Sequence, residues 1–128
     1  MKTLEQIATY KSRSFDDRDI ERLVVFLPEE LLSQMGIRLK PEHVGKYTPT
    51  PLTREAVVER LKSDVAFGIE KYMDQRGLST MAMTHVVRMW LWVLDDETVD
   101  VTLYGGKLFE ATALAYGFPV PDDMHTGF

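Results

Sequence analysis

The sequence predicts an all-α fold: one domain of five to six helices around a buried central helix, residues 79–95, with at most one short strand. Three observations predict it. The stretch Ser79–Asp96, STMAMTHVVRMWLWVLDD, is apolar on almost every side and holds both tryptophans of the chain; a helix of that kind is enclosed by its neighbours. Arg54–Arg76 carries Val58, Leu61, Val65, Ile69 and Tyr72 at spacings of three and four, an amphipathic stripe. Glycine followed by a large apolar residue recurs at Gly36–Ile37, Gly77–Leu78 and Gly117–Phe118, each after a periodic segment. Glycine there takes the left-handed conformation that closes a helix, and the next side chain folds back on the last turn.

In chain order, Leu4–Lys11 reads as a short helix with Leu4, Ile7 and Ala8 on one side. The acids Asp16, Asp17 and Asp19 favour a helix start, since carboxylates suit the positive end of the dipole; a metal site there lacks a nearby histidine. From Asp17 the helical period runs through Ile20, Leu23, Val24 and Leu27. Pro28 breaks it and suits the first turn of a second helix, Pro28–Met35, with Leu31, Leu32 and Met35 inward. Residues 37–52 hold Pro41, Gly45, Pro49 and Pro51 and read as a long irregular connection, with room for a short strand at Ile37–Leu39. Structureless connections beyond about 12–15 residues are uncommon in compact domains. This one is either functional, around His43 and Tyr47, or strapped across the core by Val44 and Tyr47.

Thr53 caps the Arg54–Arg76 helix, whose acids and bases balance five against five, as on a solvated face. Gly68 in its middle costs about 1 kcal/mol against alanine. Close approach of the Ser79–Asp96 helix would explain it. Ser79 suits the N-cap of that helix. Thr84, His85 and Arg88 share one polar stripe on it, and Asp95, Asp96 and Glu97 oppose its dipole at the C-terminal end. Those acids can pair with a basic group, cap the next element, or lie past the helix end. TVDVTLY then alternates Val99, Val101 and Leu103 as a short strand or extended loop. Gly105–Gly106 reads as a turn and Leu108–Tyr116 as the last helix. Residues 118–128 form an extended tail, mobile at its end.

Composition narrows the function. At 128 residues, 45% apolar and 27% charged, the chain is ordinary for a globular protein. Without cysteine it has no disulfide, thiolate metal site or cysteine nucleophile, and a reducing compartment fits. The net charge of −5 argues against non-specific nucleic-acid binding, which depends on Lys and Arg neutralising phosphates. The apolar stretch is shorter than the about 20 residues of a membrane span, and MKTLEQIATYKSRS has no apolar core of a signal peptide. A cytoplasmic protein is expected.

No catalytic constellation emerges. His43 beside Glu42, and His125 near Asp122 and Asp123, lack the helical spacing of a zinc site. G-x-S-x-G, P-loop and G-x-G-x-x-G patterns are missing. Gly105–Gly106 before a helix could offer backbone N–H groups to an anion, although the rest of a phosphate motif is lacking. The expectation is a non-enzyme with no cofactor and no metal. Three binding readings stand. The first is engagement of another protein, or self-association, through Thr84, His85, Arg88, His43 and Tyr47. Met81, Met83 and Met89 fit core filling better than an adaptable surface. The second is a helix-turn-helix over MDQRGLSTMAMTHVVRMW, with Ser79, Thr80, Thr84, His85 and Arg88 outward. Against it, Met73 stands where that turn wants a small residue, and Trp90 and Trp92 need cover. The third is a minor role in replication or assembly.

DVAFGIEKYMDQRGLS followed by VVRMWLWVLDD, and YGGKLFEATALAYGFPVPDD, resemble small uncharacterised proteins encoded by tailed bacteriophages and prophages. The resemblance covers about the C-terminal half and carries no catalytic residues with it. It implies a viral gene product in the bacterial cytoplasm, for which blocking a host or defence factor is a common task.

Overall fold

The computed structural model describes residues 1–12, 17–39, 41, 46–75 and 79–122. Its helices are α1 (Leu4–Ala8), α2 (Asp17–Val24), α3 (Glu29–Gln34), α4 (Arg54–Gln75), α5 (Ser79–Val93) and α6 (Gly105–Ala115), with a 3-10 turn over Thr9–Ser12. No strand occurs among the described residues, so the fold is all-α. The two segments open to a strand reading, Ile37–Leu39 and Val99–Leu103, are irregular. In the second, Asp96 and Asp100 each accept the backbone N–H and hydroxyl of the threonine two residues on, Thr98 and Thr102. Such side-chain turns coil the backbone and compete with an extended ladder. Val99 is buried there, but Val101 is exposed.

Helix α5 is the centre. Met83, Val86, Val87, Met89, Trp90, Leu91 and Val93 are all buried, and α2, α4 and α6 pack against it. Along α4 the buried face is Val57, Leu61, Asp64, Val65, Gly68 and Ile69, while Val58 and Tyr72 sit at its margins. Asp64, counted with the solvated face in the sequence, is therefore a core residue. Its carboxylate accepts the Trp90 indole N–H at 2.7 Å and pairs with the Arg22 guanidinium at 2.8 Å. One buried acid thus joins α2, α4 and α5.

Gly68 is needed for close packing, but against α6 rather than α5. A Cβ at this position would stand 2.7 Å from Cζ of Phe109 and 2.8 Å from its Cε1. Phe109 is fully buried and cannot swing clear. An aromatic ring pressed on the helix backbone, not a second helix backbone, removes the space for a side chain.

The helix ends follow the glycine signal and extend it. Gly36 and Gly117 have φ of 75° and 76°. Ile37 N–H reaches Leu32 C=O and Phe118 N–H reaches Ala113 C=O, the long bonds of the Schellman arrangement. Gly77 lies outside the described residues. A further arrangement of the same kind closes α5 without glycine: Asp95 has φ 54°, its N–H bonds Trp92 C=O, and Asp96 N–H bonds Leu91 C=O. Pro28 is the N-cap of α3 rather than its first helical residue, with ψ 155°. Thr53 caps α4 as expected, accepting the Ala56 N–H. At α1 a capping box forms between Thr3 and Gln6. Helix α6 starts three residues before the expected Leu108, taking Gly105–Gly106 into its first turn.

Two stability outcomes follow from these contacts. Asp64→Ala leaves the buried Trp90 N–H without an acceptor and Arg22 without its partner; we expect a loss of about 2–4 kcal/mol in urea unfolding. Asp64→Asn keeps an acceptor for Trp90, while Arg22, 37% exposed, can rehydrate; its loss should be roughly half as large. Gly68→Ala, which helix propensity alone would favour by about 1 kcal/mol, should instead destabilise by about 1–2 kcal/mol through overpacking. In a Phe109→Leu background the same change should become neutral or stabilising. Equal costs in both backgrounds would rule out the ring contact as the cause.

Candidate functional site

The polar stripe on α5 does not present itself as a unit. Thr84 is 4% exposed, and its hydroxyl donates to the Thr80 carbonyl one turn back at 2.9 Å. Thr80 is buried as well. A threonine on a helix can satisfy its hydroxyl in this way without leaving the core. Arg88 is turned onto the chain itself. Its Nε donates to Val101 C=O at 2.8 Å and an Nη to Leu103 C=O at 2.9 Å, and its guanidinium stacks 4.4 Å from the Tyr104 ring. It fixes the loop before α6. His85 and Arg88 are both partly exposed, and of the three only His85 makes no hydrogen bond among the described residues. Thr84 is thus corrected to a core residue and Arg88 to a loop anchor.

Tyr47 is also structural. Its hydroxyl lies against the carbonyls of Val24, the last residue of α2, and Leu27 just beyond it, where the helix ends and its carbonyls need donors. Thr50 N–H satisfies Val25 C=O beside them at 2.6 Å. Burial, and then the nearby Glu29 charge, push the phenol above its ordinary pKa. The strapping alternative is the one this residue serves. His43 and Val44 lie outside the described residues.

What His85 and Arg88 do share is a cleft of about 310 Å³ between the first half of α5 and the start of α6. Tyr72, Met81, His85, Tyr104 and Lys107 line it, with Gly105 and Gly106 at its floor. Met81 is 52% and Tyr104 73% exposed, among the large apolar side chains most open to solvent. Met83 and Met89 are buried, so the core-filling expectation holds for those two and not for Met81. Among the described residues no carboxylate belongs to the lining. No side chain caps the first turn of α6, so its backbone N–H groups keep the partial positive charge of a helix start. Gly105 turns the chain into the helix at φ 51°. Sequence reasoning missed Tyr104, Met81, Lys107 and Tyr72. An aromatic residue directly before a glycine pair was the available signal.

The acids after α5 fill two of their three expected roles: they lie past the helix end and Asp95 pairs with a basic group, but none caps α6. Asp95 pairs with Lys2 and the terminal amine, and these hold its carboxyl below the usual range, the Lys2 hydrogen bond foremost. Asp96 accepts from Thr98 and from the Tyr116 hydroxyl. Burial pushes Asp96 up, but the bonds from Thr98 and Tyr116 outweigh it and leave the group lowered. Tyr116 moves upward, through burial first and Asp96 second. Among the described residues no group of three or more acids or histidines could hold a metal ion, and no helix is long and apolar enough to cross a membrane.

No protein-family model, curated protein or solved structure matches the chain.

The lowered Asp96 contributes stability that is present above the unfolded carboxylate value, about 4, and is lost as pH falls through its folded value. The raised Tyr116 contributes below the unfolded phenol value, about 10, and loses it as pH rises through its own. Tyr116→Phe removes one of the bonds that lower Asp96. Its carboxyl titration, followed by NMR, should shift upward, with a weaker loss of stability on acidification. An unmoved Asp96 titration would show that Thr98 alone sets it.

Proposed function

We propose that this chain is a non-enzymatic binding protein that engages another protein through the cleft between α5 and α6, as a phage-type accessory factor acting on a host protein in the bacterial cytoplasm. One observation carries the reading. Two large exposed apolar side chains, Met81 and Tyr104, flank a concave surface whose charged members are basic and which has no acid in its lining among the described residues. Met, Tyr and Arg are the residue types enriched at protein interfaces. The resemblance of the C-terminal half to tailed-phage proteins supports the setting, and inhibition of a host or defence factor is the task that setting favours.

The helix-turn-helix alternative loses ground on geometry. A recognition helix needs a row of outward polar side chains that reach base edges. On α5, Thr80 and Thr84 are buried and Arg88 is bonded to the Val101 and Leu103 carbonyls.

Site-specific photo-crosslinking tests the reading. A photoreactive phenylalanine analogue at position 104 should yield one dominant hetero-adduct in bacterial lysate. The same group at Phe67, exposed on α4 and outside the cleft lining, should not. Equal labelling at both positions, or adducts only between copies of this chain, would overturn the proposal.

A further inference from the structure

The cleft's charge pattern names the chemistry of its occupant. Resting on the reading of this cleft as a protein-binding site, we infer that it receives a short acidic segment of the partner, anchored by one aromatic or aliphatic side chain and held by carboxylates at the α6 end. The chain as a whole carries 20 acids against 15 Lys and Arg. Its cleft reverses that balance: Arg88 and Lys107 line it with His85, and among the described residues no Asp or Glu does. Two cations and a helix start supply positive potential to this lining, and a histidine adds hydrogen-bonding capacity. The Lys107 ammonium is exposed on the first turn of α6. Arg88 has only part of its five-donor fork committed to carbonyls and keeps its charge. The imidazole of His85 makes no hydrogen bond among the described residues. The uncapped start of α6 adds its backbone N–H groups, and Gly105–Gly106 places no side chain between them and a ligand.

The apolar side selects for more than charge. Met81, Tyr104 and Tyr72 offer a flexible thioether and two ring systems to one anchoring side chain. Size sets the scale. Stable interfaces between folded faces bury above about 1,000 Å²; a cleft of about 310 Å³ takes an anchor and its flanks. A linear segment with micromolar affinity is the fitting class. Nucleic acid fits less well, since its affinity grows with the number of phosphates that Lys and Arg neutralise, and two such residues, Arg88 and Lys107, line the cleft.

The test is selection of a random dodecapeptide library on the immobilised full chain. Clones are then measured on the wild type and on Tyr104→Ala and Lys107→Glu. Both positions are exposed, and unchanged circular dichroism and urea unfolding verify that the variants fold. We expect enriched peptides with Asp or Glu beside Phe, Trp or Leu. Exchanging those acids for amides should weaken binding about tenfold, as should Lys107→Glu, a change of about 1.4 kcal/mol. Tyr104→Ala should weaken it by at least as much. Enriched peptides that are neutral or basic yet depend on Tyr104 would overturn the acidic inference and leave the binding site standing. Peptides insensitive to both variants would overturn the inference and the binding reading together. Tighter, Lys107-dependent binding of duplex or single-stranded DNA would overturn the inference in favour of a nucleic acid.

Discussion

The indole N–H of Trp90 donating to Asp64, with Arg22 on the other carboxylate oxygen, is the constraint on which the rest of the structure depends. Trp90 is fully buried in the last turn of α5, and a buried indole nitrogen without an acceptor is costly. Asp64, 2% exposed, is the acceptor α4 brings to it. A carboxylate at that depth needs donors in turn, and Arg22 reaches in from α2 to supply the second. Phe26, just after α2, meets the Trp90 ring edge to face at 5.7 Å. Apolar surfaces tolerate small slips of one helix along another. This bond does not, because a slip leaves either the acid or the indole unpaired in the core. Relative to apolar packing such a buried pair adds little net stability, since desolvation offsets the attraction. What it adds is a penalty on every other register of α2, α4 and α5.

The same logic marks where the sequence could be read. Periodicity and terminal glycines are local, and they gave the helices, the ends at Gly36 and Gly117, and the enclosure of α5 from Met83 onward. Asp64 was not legible. An acid four residues from Arg60 and two from Lys62 looks like part of a solvated face, and its partners are 42 and 26 residues away. The end of α5 was hidden for a different reason: aspartate can adopt the left-handed conformation that glycine usually supplies, but only the fold shows Asp95 doing so. The partner of Gly68 was misjudged because a glycine signals close approach without saying by what.

The candidate site shows the limit more sharply. Thr84, His85 and Arg88 share a helical face, as their spacing says, yet a common face does not mean a common role. Because α5 is surrounded, Thr84 turned back to its own helix and Arg88 to a neighbouring loop. Polar residues on an enclosed helix serve the structure first, since each unmet hydrogen bond there is expensive. The residues left over for a partner are those where the enclosure ends, at the first turns of α5 and the start of α6. Met81 and His85 come from the one and Tyr104 and Lys107 from the other.

Arg88 connects the two halves of that surface. Its bonds to the Val101 and Leu103 carbonyls hold the loop that coils through the Asp100–Thr102 turn, and its guanidinium supports the face of Tyr104. Tyr104 is the residue just before α6, with extended backbone at φ −121° and ψ 148°, so its ring stands out from the helix start rather than folding onto it. A single arginine therefore sets both the aromatic wall of the cleft and part of the charge beneath it. Its replacement would disturb shape and electrostatics together, whereas Lys107 and Tyr104 separate the two. The loop Arg88 holds begins at Asp96, whose bonds to Thr98 and Tyr116 tie it to the far end of α6. The cleft's geometry is thus held from both ends of one helix, by groups that lie mostly outside the cleft.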